Sequence, residues 1–242
     1  MFPRTRYSAI ERLRTDDESE RLLAWDALVS AYWRPAYKYL RGRWRLSPEH
    51  AEDLTQEFFG RAFENGFLTE YDSSKARFRT WLRLGLDRLA FNDAKAGRRV
   101  KRGGGTITTP VDFVSVEGEV REIEIAADSD LDAWFQQEFV RSLFGRAVEA
   151  VERECRESGR EAHFALFAEC DLADLDAADR PSYKALAEAR GWTVNDVTNR
   201  LAAIRRAFRG HVLRLLRDAC ASDEEFEREA RAILGDARRD RT

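Results

Sequence analysis

A helix can be read residue by residue in Leu46-Ser-Pro-Glu-His-Ala-Glu-Asp-Leu-Thr-Gln-Glu-Phe-Phe-Gly-Arg-Ala-Phe63. Ser47 is a good N-cap and Pro48 suits the first helical position. Ala51, Leu54, Phe58, Ala62 and Phe63 then recur at helical spacing and form one apolar stripe. Glu52, Asp53, Gln56 and Glu57 gather on the remaining surface as a compact acidic and amide patch. About fifteen residues on comes Lys75-Ala-Arg-Phe-Arg-Thr-Trp-Leu82, basic and aromatic together. An acidic amphipathic helix followed closely by a basic aromatic one commits this part of the chain to helix-on-helix packing with two chemically opposite outer faces.

A second constellation lies far downstream, in Ser182-Tyr-Lys-Ala-Leu-Ala-Glu-Ala-Arg-Gly-Trp-Thr-Val-Asn-Asp-Val-Thr-Asn-Arg-Leu201. Tyr183, Leu186 and Ala187 supply the inner face of a short helix, and Gly191 fits the left-handed turn that ends it. Trp192 is expected to plug the gap between helices, and Thr193 to cap the next one. Val197, Leu201 and Ile204 then face inward. Asn195, Asp196, Thr198, Asn199 and Arg200 are left outward at the start of a second helix, the layout of a helix-turn-helix.

The net charge of −3 conceals a strong alternation. Ser73 to Arg102 carries ten Lys/Arg against two Asp/Glu, and Ser182 to Arg217 carries eight against two. Asp112 to Asp179, between them, carries 19 acids against six bases. Two basic modules separated by an acidic stretch suit a protein that meets polyanions at two places. The three cysteines, Cys155, Cys170 and Cys220, form no Cys-x-x-Cys pair, so a disulfide framework or zinc site is not expected. His50, His163 and His211 stand apart from one another, and no metal or other cofactor is expected. No apolar run approaches a membrane span and no signal-peptide core opens the chain, so a cytoplasmic protein without membrane association is expected. No nucleotide loop, nucleophile elbow or Cys–His pair appears, and an enzyme is not expected.

The organisation that follows is all-α: two small helical domains joined by an acidic linker. Residues 1–17 read as a loose arm and 18–102 as the first domain. Its helices are expected at about Glu18 to Ser30, Tyr32 to Trp44 (with Pro35 kinking or restarting it), Ser47–Asn65, and Ala76 to about Arg99. Gly103-Gly104-Gly105 breaks the pattern, and 103–130 reads as linker, rich in acids such as Glu117, Glu119, Glu122, Glu124, Asp128 and Asp130. Residues 131–219 form the second domain, opened by a helix from about Leu131 to Ser158. A charged tail, 220–242, carries a small amphipathic pattern through Phe226, Ala230, Ile233 and Leu234.

The two motifs in this order resemble the bacterial sigma factors of the extracytoplasmic-function type, which direct RNA polymerase to promoters. An Ala-Glu-Asp-Leu-x-Gln-Glu-x-Phe helix preceding Phe-Arg-x-Trp-Leu is similar to their region 2, and Ser182–Leu201 to the helix-turn-helix of region 4. The resemblance covers the chain from about Ala24 to Arg217. It implies that Asp53, Gln56 and Glu57 meet core RNA polymerase. It implies too that Tyr71, Asp72, Ser73 and Ser74, with Lys75, Arg77, Arg79, Thr80 and Arg83, meet the −10 element of promoter DNA and hold the separated strand. In the second motif, Asn195, Asp196, Thr198, Asn199 and Arg200 would read the −35 element, and Arg205, Arg206 and Arg209 would hold phosphates. The sequence departs from many relatives where an asparagine and an aspartate give way to Arg88 and Asn92.

That departure, with Lys101-Arg-Gly-Gly-Gly105, is closer to a subgroup found beside Ser/Thr kinases. The resemblance therefore implies a kinase or an anti-sigma factor as further partners, with Thr55 as a candidate phosphate acceptor. Two competing functions stand beside this one: a DNA-binding regulator using only the helix-turn-helix, and a polymerase-binding decoy that does not melt promoters.

Overall fold

Asp17 opens the first helix, its carboxylate accepting from the backbone N–H groups of Ser19 at 2.9 Å and Glu20 at 3.1 Å. From that cap α1 runs without interruption over Glu18–Trp44. The two helices expected at about Glu18 to Ser30 and Tyr32 to Trp44 are thus one, and Pro35 lies inside it without restarting it. An interior proline costs about 3 kcal/mol, but it sits within the buried run Tyr32, Trp33, Ala36, Tyr37 and Leu40, whose packing holds the helix through it. The computed structural model describes residues 12–13, 15–64, 71–72, 75–96, 125, 130–173, 181–220 and 222–235, and these are all-helical with no strand among them.

After α1 come α2 (Pro48–Glu64) and α3 (Phe78–Ala96), then α4 (Leu131–Glu157) and α5 (Glu161–Phe167). A π-helical turn, Ala168–Leu172, extends α5, with the Ala173 N–H donating to the Ala168 carbonyl at 2.9 Å. The remaining helices are α6 (Tyr183–Arg190), α7 (Val194–Ala219) and α8 (Asp223–Leu234). Most of the expected linker and tail end, the arm and the loop before Lys75 lie outside the described residues.

The chain divides into two compact units, Met1–Ser142 with Leu216–Thr242, and Leu143–Leu215. The division differs from the expected domains 18–102 and 131–219, because the first half of α4 and all of α8 group with α1–α3. Two layers of packing explain this. Inside the three-helix layer, Ala51, Leu54, Phe58 and Phe59 of α2, Leu28 and Trp33 of α1, and Leu82 and Leu86 of α3 are all buried, and α2 packs on both α1 and α3. Trp33 and Phe59 stack at 5.9 Å. On the far side of α1 and α3, Tyr32 stacks on Phe139 of α4 at 5.1 Å and meets Phe78 edge-on at 5.4 Å.

That second seam is laced with charge. Lys38 donates to Glu138 at 2.9 Å, Arg79 to Glu229 at 2.8 Å and Arg83 to Asp132 at 2.6 Å. The Lys38–Glu138 and Arg79–Glu229 pairs are both buried. In each of these three pairs the cation belongs to α1 or α3 and the anion to α4 or α8; Glu138 also pairs with Arg141 of its own helix, and Arg228 of α8 lies 3.9 Å from Glu229. Asp87 adds a hub within the layer, accepting from Tyr39 at 2.8 Å, from the Trp44 indole at 2.9 Å and from Arg83 at 2.8 Å.

Removing one member of a buried pair strands the other charge, which costs about 3–5 kcal/mol, whereas replacing both by apolar groups is often neutral. Glu138→Ala should therefore destabilise the protein by about that amount in denaturant titration, and Lys38→Met with Glu138→Leu should recover most of the loss.

Candidate nucleic-acid interface

In the unit Leu143–Leu215, Ser182 caps α6 by accepting from the Ala185 N–H at 3.2 Å. Gly191 ends it at φ 66°, where its N–H and that of Trp192 take up the last carbonyls of the helix. Thr193 and Asp196 then form a reciprocal cap: the Asp196 N–H donates to Thr193 Oγ1 at 3.1 Å, and Asp196 Oδ2 accepts from the Thr193 N–H at 3.0 Å and hydroxyl at 2.7 Å. Leu166, Leu186, Ala187, Val197 and Leu201 make one buried cluster, with Trp192 packed against its edge as expected. Val151, Cys155, Phe167 and Ile204 make a second, flanked by Phe208. Tyr183 differs from expectation. It is partly exposed rather than internal, its hydroxyl 3.5 Å from Arg205.

The outer face of α7 is only partly as expected. Asn195 and Asn199 are exposed, and Thr198 is exposed with its hydroxyl donating to the Val194 carbonyl at 2.9 Å. Asp196 is occupied by the cap, and those bonds from Thr193 hold its carboxyl below the usual range. Its place is to start the helix. Arg200 lies over the Trp192 ring at 4.2 Å. Arg205 is likewise engaged, forming two bonds to Asp171 at 2.8 and 2.9 Å rather than standing ready for a phosphate. Arg206 is exposed and Arg209 half-buried.

In the other unit, α2 begins as the sequence requires, the His50 N–H donating to Ser47 Oγ at 3.3 Å. Asp53 is exposed, and Gln56 and Glu57 are half-buried. Gln56 donates to Glu52 at 3.3 Å, and Glu57 pairs with Arg61 one turn on. Thr55 departs from expectation. It is 0% exposed, and its hydroxyl donates to the Ala51 carbonyl at 2.6 Å. A kinase needs that hydroxyl in solvent, so its burial removes Thr55 as a phosphate acceptor in this fold.

The loop and helix expected to meet the −10 element are also rearranged. Ser73 and Ser74 lie outside the described residues. Tyr71 is buried, its hydroxyl donating to the Ala76 carbonyl at 3.0 Å and its ring edge-on to Phe78 and Trp81. Burial pushes its phenol up to about 12. Phe78 is core, and Trp81, half-buried, stacks on it at 5.7 Å. Asp72 lies 3.3 Å from Lys75. Lys75 and Arg77 are exposed and Thr80 half-buried. Arg79 and Arg83, in contrast, are turned inward. Arg79 lies over the Phe139 ring at 3.9 Å, donates to Gln136 and Glu229, and leaves its Nε without a partner among the described residues. Its guanidinium is core-facing because Glu229 of α8 supplies a counter-charge there and Gln136 of α4 a neutral acceptor.

One surface was missed in reading the sequence. Arg77, Leu84, Arg88, Phe91 and Lys95 are all exposed, Phe91 by 60%. Leu84, Arg88, Phe91 and Lys95, spaced four, three and four residues apart, lie along one side of α3 opposite Arg79, and Arg77 sits just before its first residue. The signal was the same helical period that located the buried stripe, applied to the outward residues.

No known protein family, curated protein or solved structure matches this chain. Among the described residues no helix is long and apolar enough to cross a membrane, and no cluster of three or more His, Cys, Asp or Glu is arranged to hold a metal.

Gly191 tests the helix-turn-helix geometry cleanly, since a Cβ added there meets nothing within 4 Å. Gly191→Ala should cost only the left-handed backbone penalty, about 1–2 kcal/mol in thermal or chemical unfolding.

Proposed function

We propose that this chain is a promoter-recognition subunit of bacterial RNA polymerase, similar to the extracytoplasmic-function sigma factors. The observation that carries the reading is the α6–turn–α7 unit. Its glycine turn, reciprocal Thr193–Asp196 cap and buried Val197–Leu201 seam leave Asn195, Asn199 and Arg206 on the outside of a long helix. Asparagine pairs bidentately with adenine in a major groove, and exposed arginines hold phosphates. Support from the other unit comes from Asp53 beside Gln56 and Glu57, an acidic helical face suited to a basic helical partner. On α3, Arg77, Arg88 and Lys95 alternate with Phe91, the cation-and-aromatic composition that tracks a single strand.

In this reading the protein performs no bond chemistry. Its work is to bind polymerase, dock on −35 and −10 elements and stabilise melted DNA. Run-off transcription with core polymerase is the direct test. Absence of any promoter-dependent transcript from a chain that binds the polymerase would favour the decoy. That second reading has one observation behind it, the inward placement of Tyr71, Arg79 and Arg83.

Replacing Asp53 and Glu57 by Arg should abolish co-purification with core polymerase while leaving far-UV circular dichroism and thermal unfolding nearly unchanged. Polymerase binding at the wild-type level would remove the acidic face from the interface.

The two kinds of contact on α7 should separate in footprinting or anisotropy. Asn199→Ala should relax base preference within the −35 element, because a lost base-edge contact removes about 1–3 kcal/mol of discrimination. Arg206→Ala should weaken all sequences alike and lower the salt slope by about one.

A further inference from the structure

The seam between α1–α3 and the pair α4 and α8 has the chemistry of a reversible cover. Its three ion pairs sort by sign: Lys38, Arg79 and Arg83 on one side, Glu138, Glu229 and Asp132 on the other. A permanent core would gain more from apolar groups at these positions, because burying a charge pair returns little net stability. α8 brings five acids against two bases, and two of those acids, Glu225 and Glu229, face inward beside Phe226 and Ala230. Beside this seam, Tyr32 donates to the Ala219 carbonyl, at the end of α7 just before α8, at 2.8 Å. The Gln136 amide donates to Glu229 at 3.1 Å, completing the surround of Arg79. The unpartnered Nε of Arg79 shows that the surround is imperfect.

We infer that α8, with the first half of α4, is an intramolecular stand-in for a polyanion, closing over a basic tyrosine-rich face that takes single-stranded nucleic acid when the cover lifts. The Glu229 carboxylate then occupies the place of a phosphate on Arg79. Lys38 and Arg83 extend the cationic track, and Tyr32 and Tyr71 supply faces on which bases stack. The exposed side of α3 gives a first, weaker contact while the cover is shut. This inference rests on the reading of α3 as a nucleic-acid-binding helix. An open fraction of about one in ten weakens apparent affinity tenfold, so loosening the cover restores up to that factor.

The test uses the full chain and a labelled single-stranded DNA oligonucleotide followed by fluorescence anisotropy. Asp132→Asn with Glu229→Gln keeps shape and removes the two counter-charges of α3. Glu224→Gln with Glu227→Gln makes the same change of net charge on the exposed side of α8. Phe226→Ala loosens α8 without altering charge. Circular dichroism confirms that each variant is folded. The first and third variants should bind about tenfold tighter than wild type, and the surface pair no more than about twofold. Adding Arg79→Gln to the first should cancel the gain. In wild type, saturating DNA should lower hydrogen-exchange protection of the α8 amides.

Equal binding by wild type and all variants would overturn the cover while leaving α3 as a nucleic-acid helix. A gain shared by the surface pair would overturn it too, as a net-charge effect alone. No binding by any folded variant, with α8 exchange visibly raised in Phe226→Ala, would overturn the nucleic-acid reading of α3 and the inference with it.

Discussion

Arg79 is the residue on which the Met1–Ser142 and Leu216–Thr242 unit turns. A guanidinium buried beside Tyr32 and Phe139 is costly to desolvate, and it is tolerable only because Glu229 and Gln136 reach it and Phe139 offers a ring face. The carboxylate is held in turn. Although burial alone would raise the Glu229 pKa, the Arg79 charge and the bonds from Arg79 and Gln136 draw it below the usual range. Stability from this group is therefore fully present above the ordinary carboxylate pKa of about 4.3 and lost as pH falls through its lower folded value. One side chain thus couples three helices that are distant in sequence.

The other unit is built on a different economy. Its helix ends are satisfied locally, by Ser182, Gly191 and the Thr193–Asp196 exchange, and its two small apolar clusters need no buried ion pair. Among the described residues of this unit no charged side chain is fully buried, and ion pairs lie at the surface, where Arg205 meets Asp171 and His211 meets Glu154 at 3.1 Å. Local satisfaction of this kind leaves outward residues such as Asn199 uncommitted. In the first unit, long-range satisfaction commits nearly every cation of the first turns of α3.

This contrast explains what the sequence disclosed. Ser47, Gly191, Thr193 and the 51–54–58 stripe were legible because caps, left-handed turns and helical periods are decided by residues within a few positions of one another. The helix break expected before Tyr32 is absent, and Pro35 is carried inside α1 because its local cost is offset by tertiary packing. Thr55 was misplaced because a threonine can spend its hydroxyl on the carbonyl four residues back and then pass as apolar. Arg79 and Arg83 look like surface cations in the sequence because Glu229 and Asp132, which draw them inward, lie 150 and 49 residues away, and only Asp87, four residues on from Arg83, is within local reach. Periodicity finds which side of a helix is apolar. It does not find a buried cation whose partner lies elsewhere in the chain.

The π-helical turn after α5 has a consequence for how this chain tolerates length changes. A π turn is one residue more than an α-helix of the same rise requires, so it shifts the rotational phase of whatever follows. Here the shifted residues are Cys170, which packs against the Leu186–Val197 cluster, and Asp171, which grips Arg205. Deleting Ala168 or Glu169 changes the phase of both side chains relative to α5 by about a hundred degrees. A one-residue deletion there is thus a larger event than most substitutions, and the length of this short segment is itself a structural specification.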